Sequence, residues 1–141
     1  MLISDDAARD SLFDGLLAFQ AAWPARGWSW DNRFECLAST IAFHESAQAL
    51  ATARALCPSV WDGQQLAGAP NLVRDVAAAT GGVRSDQLLL AAQERDGLLM
   101  FGLWWPWGGE SSNISMRLGL AGNPSDDELT RLRTLFRAIE G

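Results

Sequence analysis

Residues 87–120 constrain the fold more than any other part of this sequence. The segment reads QLLLAAQERDGLLMFGLWWPWGGESSNISMRLGL and holds three of the seven tryptophans of the chain. Residues 87–93 are apolar at nearly every position, which is typical of a strand buried on both faces. Asp96-Gly97 predicts a tight hairpin turn, so residues 98–105 should return as the partner strand.

Residues 113–120 predict a third strand, because apolar positions alternate there with polar or small ones. The apolar face comprises Ile114, Met116, Leu118 and Leu120. The other face comprises Asn113, Ser115, Arg117 and Gly119. We expect this second face to contact solvent, and we expect the strand to be a sheet edge available for self-association.

Residues 4–23 predict the first helix. Apolar side chains recur there at spacings of three and four, and Ser4 or Asp5 can cap the first turn. Pro24 disfavours helical geometry at the residue before it, so the helix should end there. Gly15 weakens the middle of this helix by about 1 kcal/mol relative to alanine.

Three further helices are predicted along the chain. Residues 44–56 are alanine-rich and predict the first of these helices. The next helix should begin near Pro70 and end at Gly81-Gly82. The sequence SDDE at residues 125–128 is a capping box, and it opens a helix whose apolar face extends to Ile139. Residues 61–68 are predicted to form a loop.

Residues 34–43 fit two interpretations. Asp31-Asn32 can form a hairpin turn between the aromatic segment around Trp30 and this one, which favours a strand. The same residues also carry apolar side chains at helical spacing. We favour the strand, because a helix continuing from here to Leu56 would be unusually long.

Together these elements give the order α-β-β-α-α-β-β-β-α. The sequence therefore predicts a single α+β domain over residues 1–141, with one antiparallel sheet of about five strands and helices at both chain ends. This order is similar to the roadblock or profilin-like layout, and loosely to small acidic secretion chaperones. The resemblance includes no sequence motif, and it implies a dimer that binds other proteins.

The composition narrows the function classes. A net charge of −6 disfavours binding to phosphate backbones, so we expect no nucleic-acid partner. The sequence has no lysine, which excludes Schiff-base chemistry and a Walker-type phosphate site. No apolar run is long enough for a membrane span, and the N-terminus lacks the features of a signal peptide. We therefore expect a cytoplasmic protein with two free cysteines.

Residues with catalytic potential are few and scattered. His44, the single histidine, adjoins Glu45, but neighbouring residues on a helix point about 100° apart. Two cysteines and one histidine cannot complete a zinc site within one chain. The glycine pairs lack a phosphate-binding pattern. We therefore predict no metal and no cofactor.

The tryptophans carry the functional hypothesis, because tryptophan is enriched in binding hot spots. We expect a non-enzymatic protein-interaction module, such as an adaptor, a chaperone or an immunity-like partner, with a contact surface around residues 105–112. The predicted contact residues are Trp105, Trp107, Glu110 and Arg117.

The alternative is a small-molecule-binding domain or small enzyme with a pocket between sheet and helices. Its walls and polar groups would be Trp28, Trp30, His44, Glu45 and Trp104, with Arg117 as a further polar group.

Overall fold

One sheet of seven strands runs through the computed structural model, which describes residues 4–107 and 113–140. The strands are β1 (Ser29–Asp31), β2 (Cys36–Ala42), β3 (Ser59–Trp61), β4 (Leu88–Ala91), β5 (Leu98–Pro106), β6 (Asn113–Gly122) and β7 (Ile139–Glu140). Their order across the sheet is β3-β4-β5-β6-β2-β1-β7. The first six pair antiparallel, and β7 adds to β1 in parallel. The predicted α+β fold with a single antiparallel sheet is confirmed.

Helices lie near both chain ends, as predicted, and the short strand β7 follows the last of them. They are α1 (Ser4–Asp10), α2 (Leu16–Ala22), α3 (Ser46–Leu56), α4 (Asn71–Ala79) and α5 (Asp126–Leu135). Short 3-10 turns occupy Ser11–Phe13, Phe43–Glu45 and Leu66–Gly68. In the described part of the chain, no helix combines the length and the apolar character that a membrane span requires.

The N-terminal helix is interrupted, where the sequence predicted a continuous one. A 3-10 turn follows α1, and α2 begins only after Gly15. A β-carbon at Gly15 would lie 3.1 Å from Leu56 Cδ1, so the glycine permits the close approach of α3. The predicted end is confirmed, because Trp23 is extended (φ −67°, ψ 132°) immediately before Pro24.

The hairpin of β1 and β2 confirms the strand interpretation of residues 34–43. Asp31 Oδ1 accepts hydrogen bonds from the backbone N–H groups of Arg33 (2.9 Å) and Phe34 (3.4 Å). Glu35, which ends this turn, adopts a positive φ of 51°. The connection is therefore longer than the tight turn predicted at Asp31-Asn32.

The hairpin of β4 and β5 turns where the sequence predicted it. Asp96 (φ 52°) and Gly97 (φ 77°) both adopt the left-handed conformation that a tight hairpin turn requires. Arg95 and Leu98 exchange backbone hydrogen bonds of 2.9 and 3.0 Å across it. Before the turn, β4 buries three successive residues, Leu89, Leu90 and Ala91, on both faces of the sheet.

The prediction that β6 is a half-exposed edge strand is wrong. β6 lies inside the sheet, paired with β5 on one side and with β2 on the other. Ser115 is buried, and Gly119 lies under the ring of Phe101. Residues 114–119 are paired on both edges, so self-association by strand addition cannot use them.

Two corrections concern short segments. The predicted loop at residues 61–68 begins inside β3, whose last residue, Trp61, pairs with Leu89. At the other end of the chain, α5 stops at Leu135, and Arg137 adopts a positive φ of 51°. The chain then leaves the helix, so Ile139 belongs to β7 and not to the helical face predicted for it.

The two faces of the sheet are covered to different extents. The first face packs against α2, α3 and α5 and carries an aromatic cluster, in which neighbouring ring centroids are 5.1–6.2 Å apart. The cluster comprises Phe19, Trp23, Trp28 and Phe136. On the second face, α4 packs its buried residues, Val73, Val76 and Ala77, against β4 and β5. The rest of the second face, across β6, β2 and β1, is an open depression.

Candidate functional site

Trp107 is 59% exposed at the end of β5, where the second face of the sheet is open. Its backbone N–H donates a 2.9 Å hydrogen bond to the carbonyl of Asn113, the first residue of β6. The backbone of Trp107 is therefore held by the sheet while most of its side chain faces solvent. Leu17 and Phe43 are the other large hydrophobic side chains that the described part of the chain exposes, at 67% and 55%.

Arg117 lies in the middle of the second face and is held by three strands. Its Nε donates to Asp31 Oδ2 of β1 at 3.3 Å, and its Nη1 donates to Ser115 Oγ of β6. Its guanidinium carbon lies 5.3 Å from the ring centroid of Trp105 on β5. The side chain is only 18% exposed. Because contacts on several sides limit its rotamers, this arginine presents a preorganised cation to the surface.

Trp105 connects Arg117 to a second aromatic ring and a second arginine. Successive strand residues point to opposite faces, so Trp104 joins the first-face core and Trp105 lies on the second face. Trp105 packs edge to face against Phe34, with ring centroids 6.2 Å apart. Arg33 lies over the other aromatic ring, 4.2 Å from the centroid of Phe34. The rings of Phe34 and Trp105 thus lie side by side between two cations, Arg33 and Arg117.

Two depressions meet at Trp107 and Arg117. The larger has a volume of about 710 Å³, and its lining includes Arg26 and small side chains of β1, β2 and β6. The smaller has a volume of about 440 Å³, and its lining includes Arg33, Arg84 and Trp105. The surface around both depressions is called here the Arg117 surface, and it comprises Arg26, Arg33, Arg84, Trp105, Trp107 and Arg117.

The charge of the Arg117 surface opposes that of the whole chain. It contains four of the eleven basic residues of a chain whose net charge is −6. Among the described residues that line the two depressions, Asp86 carries the negative charge. Asp31 adds a second carboxylate beneath Arg117. The local excess of positive charge favours an anionic ligand at this surface.

The structure therefore brings together three of the four predicted contact residues. Trp105, Trp107 and Arg117 lie side by side on the second face. Glu110, the fourth, falls outside the described residues, as do residues 108–112 of the predicted contact region. A binding role for all four stays a prediction.

The residues of the alternative pocket are not gathered into one site. Trp28, Trp30 and Trp104 are 4–5% exposed and belong to the first-face core. His44 is exposed and Glu45 is partly buried in the 3-10 turn that follows β2. Trp28 also lines a depression of about 600 Å³ at the end of α2, whose lining includes neither His44 nor Glu45.

Both cysteines are buried free thiols. Burial, with a smaller contribution from Asp31, raises the pKa of Cys36 to about 12 against the opposing effect of Arg117 and Arg33. Burial likewise raises the pKa of Cys57 to about 12. At neutral pH both thiols are therefore protonated, whereas nucleophilic chemistry needs the thiolate.

Within residues 4–107 and 113–140, no three side chains of histidine, cysteine, aspartate or glutamate come together as a metal site.

Five residues of this region were missed by sequence reasoning, namely Arg26, Asp31, Arg33, Arg84 and Ser115. No dense run of arginine marks Arg26, Arg33 and Arg84 in the sequence. The ion pair of Arg117 with Asp31 joins residues 86 positions apart. The usable signal is strand register, since Arg117 pairs with Ala38 and Asp31 pairs with Cys36, two residues along β2.

Comparisons with known proteins identify no relative. No protein-family model, no curated protein and no solved structure matches this chain.

Proposed function

We propose that this chain is a non-enzymatic cytosolic protein-interaction module whose contact surface is the Arg117 surface. It would serve as an adaptor, a chaperone or an immunity-like partner. The observation that carries the proposal is an exposed tryptophan, Trp107, beside an arginine fixed by three strands. Tryptophan and arginine are among the residues most enriched in interface hot spots.

Preorganisation supports the same function. Binding immobilises side chains, at a cost of about 0.5–1.5 kcal/mol for each flexible side chain at an interface. Trp105 and Arg117 already contact each other and their neighbours in the free chain. A partner that binds here would order little beyond Trp107 and the exposed arginines, so more of the contact energy would be retained as affinity.

A small-molecule pocket is the second candidate, because the depression lined by Trp23, Trp28 and Phe136 has a volume of about 600 Å³. Ligand pockets are typically about 300–1,000 Å³ and lined by aromatic groups. These three side chains are only 3–4% exposed, so they offer little ring surface to a ligand. Quenching of tryptophan fluorescence by a member of a metabolite library would favour this candidate.

Site-specific photocrosslinking tests the interaction surface. Trp107 is replaced by p-benzoyl-phenylalanine, and the variant is irradiated in cells that naturally carry the gene. Leu17, which is 67% exposed on α2, is replaced in the control. The proposal predicts discrete protein adducts from position 107 that are absent from position 17.

The masses of the adducts separate the kinds of partner. An adduct of twice the 15.3 kDa chain mass would identify a homodimer, and other masses would identify a heterologous partner. Equal adduct patterns at the two positions, or none at position 107, would contradict the proposed surface.

A further inference from the structure

We infer that the partner presents an acidic peptide segment to the Arg117 surface, with carboxylates that pair with Arg26 and Arg117. The inference rests on the proposed function and adds the chemistry of the bound segment. Four arginines surround the two depressions in a chain with six more acidic than basic residues. Complementary charge of this kind selects partners and accelerates their association.

The floor of the larger depression suits an extended peptide. Its lining includes the small side chains Ser29, Ala38, Thr40 and Ser115, which come from three neighbouring strands. Arg26 and Arg117 belong to the same lining, and Trp107 stands at its exposed end. A peptide backbone on the small residues would place acidic side chains near the arginines and an apolar side chain near Trp107.

Arg117 can bind a second carboxylate. Its contact with Asp31 is a single hydrogen bond of 3.3 Å from Nε, and its Nη1 bonds Ser115. A guanidinium has five N–H donors, so these bonds with described residues use two of them. Bidentate pairing with a carboxylate is stronger than a single long contact, so a partner carboxylate would add to Asp31 or displace it.

An acidic peptide fits these observations better than a nucleic acid. Nucleic acids carry a continuous array of phosphates, and the net charge of −6 repels such an array beyond the Arg117 surface. A short peptide places a few carboxylates at the arginines alone. It also supplies an apolar side chain that can cover the exposed ring of Trp107.

Peptide selection on the full chain tests this inference. A phage library of random dodecapeptides is selected against the immobilised wild-type protein at 50 mM NaCl, and the enriched sequences are compared with the input library. We expect the enriched peptides to carry a net charge of about −2 or below, together with an aromatic or aliphatic residue. Their affinity should fall between 50 and 300 mM NaCl, because salt screens charge pairs at exposed sites.

Arginine variants test the pairing. Arg26→Gln and Arg117→Gln should each weaken the selected peptides by about threefold to fivefold, the range expected for a partly exposed ion pair. Arg54→Gln removes the same charge from α3, which packs on the opposite face, and should leave affinity unchanged. Arg26 is exposed, so Arg26→Gln remains informative if Arg117→Gln disturbs folding.

The outcomes separate failure of this inference from failure of the proposed function. Neutral or basic peptides that require Trp107 but tolerate both arginine changes would overturn the acidic segment and leave the interaction surface standing. Tighter binding of a 20-nucleotide single-stranded DNA than of any selected peptide would also overturn it. An absence of enriched peptides, or peptides insensitive to Trp107→Ala, would contradict the interaction surface itself.

Discussion

Gly119 illustrates how one absent side chain shapes the second face of the sheet. A β-carbon at this position would lie 2.7 Å from Phe101 Cζ and 2.9 Å from Cys36 Cβ. The glycine therefore allows the Phe101 ring to cross β6 and cover a position that the alternating pattern assigned to solvent. Local alternation cannot reveal this arrangement, because the covering ring belongs to the neighbouring strand.

Replacing Gly119 by alanine should destabilise the protein. Alanine is ordinarily better than glycine in a strand, but here its methyl group would displace packed atoms of Phe101 and Cys36. Overpacking of this kind costs about 1–3 kcal/mol. The free energy of unfolding from urea titration measures the effect. Gly68→Ala is the matched control, since nothing lies within 4 Å of its added β-carbon, and a similar loss there would contradict the explanation.

The sequence predicted Arg117 as a candidate contact residue but not its ion pair with Asp31. Its position on the polar side of an alternating strand marked it as a candidate contact residue, and the structure places it beside Trp105. Its ion pair with Asp31 depends on the register of three strands. That register follows from long-range pairing, so no local pattern in the sequence reveals it.

At the scale of elements, a polar contact joins the two ends of the chain. Arg9 of α1 donates two hydrogen bonds to Glu128 of α5, at 2.8 and 3.0 Å. Glu128 also completes the predicted capping box with Ser125, which is confirmed. Desolvation alone would raise the pKa of Glu128, but the hydrogen bonds from Ser125 and Arg9 outweigh it, and the pKa is lowered.

The lowered pKa of Glu128 predicts a pH-dependent contribution to stability. The folded state favours the charged carboxylate, so this stabilisation is present above the ordinary pKa of 4.5 and is lost as pH falls through the folded value. Glu128→Gln should therefore be less stable than wild type at pH 7 by about 0.5–1 kcal/mol, with a difference that shrinks toward pH 3. Thermal unfolding at pH 7, 5 and 3 measures it.

Glu94→Gln supplies the control for that series, because Glu94 is exposed in the loop before the β4–β5 hairpin turn. Its difference from wild type should stay small at every pH. A Glu128→Gln difference that does not change with pH would contradict an electrostatic link between α1 and α5.

Periodic patterns and turn signals decided which elements the sequence could predict. Long periodic segments were predicted well, including the β4–β5 hairpin, β6 as a strand and the capped start of α5. β3 has three residues and β7 has two, which is too short for any periodicity. The break before Gly15 was predicted only as a weak point, and the close approach of Leu56 from another helix has no local signal in the sequence.

At the scale of the whole molecule, the two faces of the sheet have different roles. The first face forms the main core, and the second carries the proposed binding surface. The first face is closed by α2, α3 and α5 around an aromatic core that includes Trp28, Trp30 and Trp104. The second face is only partly covered by α4, and its open part carries the Arg117 surface. This division explains why a chain with seven tryptophans exposes Trp107 so strongly while it buries most of the others.

The charge reversal of the Arg117 surface is also a property of the whole molecule. Arg26, Arg33 and Arg84 lie in three different connections, and Arg117 lies in β6. They meet only after the sheet has formed and the connections at its ends have folded back. Net charge and local runs could therefore predict an acidic chain, but not where its basic side chains converge.

The affinity of the crosslinked partner for the Trp107→Ala protein tests the central claim most directly. Titration calorimetry with the purified partner should show a Kd about 30-fold higher than that of wild type, since loss of a hot-spot tryptophan costs about 2 kcal/mol or more. Leu17→Ala, which truncates an exposed apolar side chain on the opposite side of the sheet, should bind like wild type. Equal Kd values for Trp107→Ala, Leu17→Ala and wild type would contradict the Arg117 surface as the binding site.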